Sequence, residues 1–270
     1  GVLLIDNNGG TRSGTRILDT TPITLHSASG SVSGETRPRG LALRTDQDST
    51  TNTSETIGVL TFDSGANYGV VDNSGGISSR PTLTAPNFIR QNSATINIRG
   101  RNLGDIGSVA RSQFRITAAG TAEIDFNAAH LYGGGGTAGG FATNVSIIPW
   151  AIGERYTGGN LGDANMGNTL VTYVPGSGIT PLNLANEYAS YAVSGAQDNT
   201  REVLDANLVG LAGKTVNSLM LHNNNNGTSG TFNVTGAGPG HVLGVSSGAF
   251  LFTLNSGAVL LSSNGIALSG

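Results

Sequence analysis

Extended segments in this chain never run far before they are broken. Three to six residues of alternating or β-branched character are followed by a Gly, Asn, Ser or Asp turn, and the cycle starts again. Glycine alone fills 42 of 270 positions. Glycine weakens helix interiors and supplies the left-handed backbone that sharp corners need. A chain punctuated this densely can build only short strands joined by tight turns. Examples are Val2-Leu3-Leu4-Ile5, Pro22-Ile23-Thr24-Leu25, Gly40 to Arg44, Val59 to Phe62, Thr95 to Ile98, Gln113 to Ile116, Glu123 to Phe126 and Val145 to Ile148. The C-terminal third repeats the pattern in Val216–Leu221, Thr231–Val234, Val242–Val245, Phe250–Leu254, Val259–Leu261 and Ile266–Leu268. Helical periodicity is nearly absent, and its best window is the short stretch from Asn183 to Tyr191.

Two all-β architectures suit this spacing. One is an antiparallel sandwich or barrel. The other is a β-solenoid of about 12 coils, each of about 20–25 residues and three short strands. Short monotonous strands, polar corners and an aromatic content of 6% favour the solenoid over a fold with one large central core. Antiparallel pairing of Phe250–Leu254 with Val259–Leu261 would instead indicate the sandwich. The expected fold is therefore all-β, a parallel β-solenoid, with residues 1–270 forming one segment of it. Residues 133–191 fit the pattern worst. They hold Gly133 to Gly136, Trp150, Tyr156, Tyr173, Pro149, Pro175 and Pro181, and are expected to form an insertion or side loop packed on the rod.

Composition excludes several classes of function. The chain has no cysteine, so it has neither disulfides nor thiolate metal sites. A net charge of −3, with a single lysine (Lys214) among scattered arginines, argues against a nucleic-acid binder. No apolar run reaches the roughly 20 residues of a membrane helix. The chain opens at Gly1 without signal-peptide features and closes in mid-pattern at Leu268-Ser269-Gly270. It reads as part of a longer polypeptide that continues on both sides.

Phrases spread along the chain resemble a known family. They are Arg16-Ile17-Leu18-Asp19 with Pro22-Ile23-Thr24-Leu25, then Ser54-Glu55-Thr56-Ile57-Gly58-Val59-Leu60-Thr61-Phe62-Asp63-Ser64-Gly65, then Arg99-Gly100-Arg101-Asn102-Leu103-Gly104. Ser146-Ile147-Ile148-Pro149-Trp150-Ala151-Ile152-Gly153 follows, with Leu170 to Tyr173, Gly178 to Leu182 and Glu187-Tyr188-Ala189 after it. Val216 to Leu219 and Ser256 to Leu260 close the series. In this order they resemble the autotransporter-associated β-strand repeat proteins of environmental bacteria. The resemblance implies a right-handed parallel β-helix that is secreted or held at the cell surface, associated with the outer membrane. It implies a non-enzymatic stalk of the kind used in adhesion or biofilms, with surface glycans or other surface proteins as partners. It carries over no catalytic, cofactor or metal residue. The alternative is a polysaccharide-cleaving or carbohydrate-binding β-helix protein.

His26, His130, His222 and His241 lack the spacing that puts two histidines on one face, and read as corner residues. A glycosidase-like site would draw on Asp63, Asp72, Asp105, Glu123, Asp125 and Asp163. Glu123 and Asp125 share a strand face, but such a pair reads first as a solvent-facing edge. Gly133 to Gly140 lacks the Lys-Ser/Thr ending of a phosphate loop and reads as a flexible loop. Gly158 to Asp163 echoes a calcium nonapeptide without its tandem repeat. Asn223 to Thr228 reads as a corner, and Asn144 and Asn233 begin Asn-x-Ser/Thr triplets of no evident consequence. Arg37/Arg39 and Arg99/Arg101 read as residues that keep a strand face soluble. Trp150 is either an exposed sugar platform or, as its Ile147, Ile148 and Ile152 neighbours favour, a buried staple.

Overall fold

Short strands with inward-facing Leu, Ile and Phe assemble here by parallel pairing across long sequence separations. The computed structural model describes residues 2–7, 16–26, 40–45, 52–72, 79–105, 107–116, 131–156, 169–223, 231–237, 241–254, 258–261 and 267–269. Among them there is no helix. The chain divides into two compact units. One comprises Gly1–Asn127 with Trp150–Pro181, the other Ala128–Pro149 with Leu182–Gly270. The 133–191 range is thus shared between the units, and its Ile148–Tyr156 segment is a strand of the largest sheet.

In chain order, the first thirteen strands are β1 (Leu3–Asp6), β2 (Ile23–His26), β3 (Leu41–Arg44), β4 (Ser54–Thr56), β5 (Leu60–Ser64), β6 (Ala66–Asp72), β7 (Thr82–Ala85), β8 (Phe88–Arg90), β9 (Thr95–Arg101), β10 (Gln113–Ile116), β11 (Ile148–Tyr156), β12 (Thr169–Val174) and β13 (Gly178–Pro181). They fall into three sheets, ordered β1-β3-β6-β9-β11-β12-β13, β2-β5-β8 and β10-β7-β4. From β3 to β8 the strands visit the three sheets in strict rotation. Leu41, Gly69 and Ile98 are stacked in register, steps of 28 and 29 residues. These steps exceed the expected 20–25 residues; β6 and β9, at seven residues each, are longer than the three to six expected of a strand. The β12–β13 pair is antiparallel, a local hairpin at the edge of the largest sheet.

The interior follows the two-residue alternation of a half-buried strand. Leu60 and Phe62 of β5, Leu83 and Ala85 of β7, Ile96 and Ile98 of β9, and Phe114 and Ile116 of β10 are all buried. The few aromatic rings of this unit are gathered in its interior. Phe62 packs edge-on to Phe88 at 5.7 Å and lies 5.7 Å from Trp150, and Phe88 packs on Phe114 at 5.1 Å. Few aromatics suffice because successive strands deliver them to one place. The largest sheet is also buried on its second face, where Ala42 and Val70 cluster with Leu4.

Two glycines are required where the backbone approaches itself. Gly178 has φ +82° and a Cβ there would lie 2.3 Å from the Phe114 carbonyl oxygen. Gly104 has φ +67° and its Cβ would meet the Ile179 oxygen at 2.6 Å. Both positions combine left-handed backbone with a steric limit that excludes any side chain.

The remaining strands are β14 (Asn199–Leu204), β15 (Leu208–Leu211), β16 (Lys214–Asn223), β17 (Thr231–Gly236), β18 (Val242–Leu254), β19 (Ala258–Leu261) and β20 (Ala267–Ser269). Two sheets, β14-β16-β18-β20 and β15-β17-β19, hold them, and every pairing is parallel. Phe250–Leu254 and Val259–Leu261 sit in different sheets, which removes the observation that would have indicated a sandwich. The six strands expected at this end become five. Val242–Val245 and Phe250–Leu254 form one strand through a bulge, in which Val216 pairs with Val245 but Ser218 pairs with Ala249. Gly248 at φ +71° makes the bend. The Ser246 and Ser247 hydroxyls donate to the Val216 and Asn217 carbonyls at 3.3 and 2.6 Å, replacing ladder bonds the bulge disrupts. The helix expected near Asn183 is a single turn. The Glu187 amide bonds the Asn183 carbonyl, and at Ala189 the chain enters a β-bridge to Thr200.

Candidate functional site

Among the described residues, the structure gives most of the candidates internal duties. Asp63 contacts His26, Nδ1 to Oδ2 at 2.7 Å, and accepts the Asn92 side-chain amide at 3.0 Å. Asp105 folds its own loop by accepting the Gly107 amide at 2.9 Å and the Ser108 hydroxyl at 3.0 Å. His241 Nδ1 accepts the Gly213 amide at 3.1 Å. His222 Nδ1 lies 2.8 Å from the Thr253 hydroxyl, on the strand next to it. His130, Glu123, Asp125, Asp163, Arg37, Arg39 and most of the Asn223–Thr228 run lie outside the described residues, as does the side chain of Asp72. Among the described residues no group of three His, Asp or Glu side chains is placed to hold a metal ion.

Several carboxylates that sequence reasoning passed over act as acceptors for backbone amides. Glu55, fully buried, accepts the Arg16 and Ile17 amides at 2.9 and 2.7 Å. Glu187 accepts the Asn183 amide at 2.6 Å and the Gly139 amide, and Asp198 accepts the Gly195 amide and the Thr143 hydroxyl, each at 2.7 Å. A carboxylate that closes loops in this way satisfies amides that would otherwise be stranded. The glycine run is accordingly a fastened loop, not the flexible one expected. Gly134 and Gly136 both donate to the Asn144 carbonyl, and Gly135 donates to the Ser146 hydroxyl. Asn199 links a second set of segments: its Oδ1 accepts from Asn217 and Ser218, each at 2.8 Å, and its Nδ2 donates to the Val145 carbonyl. Lys214 Nζ donates to the Ser194 carbonyl at 2.9 Å and lies 4.4 Å from the centre of the Tyr191 ring.

Arg99 departs furthest from its expected role. Only 2% exposed, it does not keep a strand face soluble; it forms a buried ion pair with Glu154. The Nε–Oε2 distance is 2.7 Å and Nη2–Oε1 is 3.3 Å, a two-pronged contact. Register explains it, because Glu154 of β11 stands directly beside Arg99 of β9. Trp150 is buried against Phe62 with the Arg90 guanidinium 5.9 Å from its ring centre, so it forms part of the core and offers no open platform.

A solvent-reachable concentration of charge remains around Asp105. Arg155 Nη1 lies 3.8 Å from its Oδ2, with side chains 29% and 34% exposed. Arg111 holds its proton less tightly than an ordinary arginine. Burial is the chief cause, the positive charges of Arg80 and Arg115 add to it, and Asp105 opposes it.

Burial also pushes the His222 pKa below its ordinary 6.5, aided by Arg201 and opposed by Asp205. The unfolded chain therefore takes up this proton more readily than the folded one. The contribution to stability is complete above pH 6.5 and is lost as pH falls below it. His222→Gln should flatten the acid side of a melting-temperature profile as pH falls below 6.5. An unchanged slope there would contradict the assignment.

Comparison with protein-family models, curated proteins and solved structures finds no match for this chain.

Proposed function

We propose that both units are wound as right-handed parallel β-helices and that the chain is a non-enzymatic structural segment of an exported, surface-exposed bacterial protein. In this reading it is a stalk that presents loops or further domains, as the resemblance to autotransporter-associated repeat proteins implies. The observation that carries the proposal is the rotation of strands β3 to β8 through three sheets with in-register parallel pairing. Parallel strands joined by crossovers in one sheet are overwhelmingly right-handed, which supports that hand. A protein wound this way gains stability turn by turn, since each repeat contacts only its neighbours. The internal use of Glu55, Glu154, Glu187 and Asp198 supports a structural role over a catalytic one, because those groups are already committed to the scaffold.

The repeat makes a direct test possible. Residues 66–94 form one period, because Ala66 and Thr95 occupy equivalent positions in register. Duplicating that segment in tandem should give a protein that keeps a β-sheet circular dichroism spectrum, unfolds cooperatively and melts no lower than the original. Loss of cooperative unfolding would refute the winding. Antibody labelling of intact source cells tests the location. Labelling only after permeabilisation would refute surface exposure.

A further inference from the structure

The outward side of the β14-β16-β18-β20 sheet carries an arginine for which no acidic partner is found among the described residues. Leu204, Leu219, Leu221 and Phe250 pack in the core of this unit, so the residues that alternate with them face the other way. Register places Arg201, Met220 and Leu251 in one row on that outward side, and Val203, His222 and Thr253 in the next. Arg201 and His222 are therefore diagonal neighbours on adjacent strands, offset by about 4.8 Å across the sheet and about 6.6 Å along it.

Two observations mark this pair. The Arg201 Nε is buried and meets no hydrogen-bond acceptor. Burial makes Arg201 hold its proton less tightly than an ordinary arginine, and the phenol of Tyr188, not a carboxylate, opposes that effect. Arg99 and Arg155, by contrast, meet Glu154 and Asp105. On the other strand, the Thr253 hydroxyl lies 2.8 Å from His222 Nδ1, which leaves Nε2 as the ring nitrogen for a ligand. Both Arg201 and His222 are partly exposed, so their outer atoms reach solvent.

We propose that Arg201 and His222 form a binding site for the carboxylate of a small organic acid, with Arg201 as the permanent charge and His222 as a donor that strengthens in acid. A planar guanidinium matches a carboxylate with two parallel hydrogen bonds, and one permanent positive charge matches one negative charge. Val203, 38% exposed, and the partly exposed Leu251 flank the pair and offer apolar surface that an inorganic ion would not use. The charges that bear on His222 are Arg201, which discourages protonation, and Asp205 after β14, which favours it. Glu202 belongs to the opposite side of β14 and accepts the Tyr191 amide, and Lys214 stands at the far end of β16. A bound carboxylate next to His222 favours the imidazolium, so binding and protonation reinforce each other. The site is independent of the stalk reading, since it rests on three strands of one unit.

Butyrate is the probe, followed on the full chain through the His222 imidazole resonance, which is assigned by its loss in His222→Gln. Butyramide and inorganic sulfate are the other arms, with chloride holding the ionic strength constant. Butyrate should shift the resonance saturably and bind about tenfold more tightly at about pH 5.5 than at about pH 8, as one added charge-assisted contact predicts. Butyramide should leave it unmoved, and sulfate should bind more weakly than butyrate. Arg201→Gln should lower the affinity about tenfold, and Arg201→Lys, which keeps the charge and loses the fork, should fall between it and the parent. In His222→Gln, binding read from the rise in melting temperature with butyrate should no longer strengthen in acid. Arg44→Gln, which removes an arginine of the other unit, should bind like the parent. Thermal melts without ligand check that each variant folds. Parent-like affinity in R201Q and R201K, or an equal loss in R44Q, would overturn the site. Equal butyrate affinity at both pH values would overturn the part given to His222, and sulfate binding as tight as butyrate would overturn the ligand.

Discussion

Glu154→Gln is expected to lower the stability of the protein by about 3–5 kcal/mol, read as a large fall in the urea midpoint. The Arg99 guanidinium would then face a neutral amide at a place where its side chain is 2% exposed. Arg99→Met should cost a similar amount by leaving the carboxylate in the same position. The double variant Arg99→Met with Glu154→Leu should recover most of the loss. Both desolvation costs disappear together, and the second face of the sheet already buries Ala42 and Val70. Two single variants each within about 1 kcal/mol of the parent would show that the pair is hydrated in solution.

The second large effect concerns the aromatic cluster. Phe62→Ala should cost about 3–5 kcal/mol, because it removes a fully buried ring and leaves a cavity between Phe88 and Trp150. The chain has one tryptophan, so its emission reports on this site alone. A shift to longer wavelength is expected as water or looser packing reaches the indole. Parent-like emission together with a parent-like melting temperature would exclude Phe62–Trp150 packing.

How much of this was legible in the residues differs by element. The segments around Ile23, Leu41, Leu60, Thr95 and Gln113 read as strands, and the structure has β2, β3, β5, β9 and β10 there. Local alternation and turn residues sufficed. β6 was missed because Ala66-Asn67-Tyr68-Gly69 has the composition of a turn and becomes a strand only between β3 and β9. β11 reads as part of an insertion for a similar reason: its glycine-rich and proline-rich flanks mask a segment that pairs with β9 across 55 residues. The roles of Glu55 and Glu187 carried no sequence signal, since a carboxylate that accepts distant amides looks like any surface acid.

Sequence alone determined the class of structure: short strands, polar corners, all-β, with neither thiol chemistry nor a long apolar segment. Those properties depend on neighbours along the chain, through backbone freedom at glycine and the alternation of side chains about a strand. Register was decided only by the tertiary structure. It placed Glu154 beside Arg99 and gathered Phe62, Phe88, Phe114 and Trp150. The physical reason is that pairing between strands 28 or more residues apart is selected by how whole faces pack, and no local pattern encodes which faces will meet.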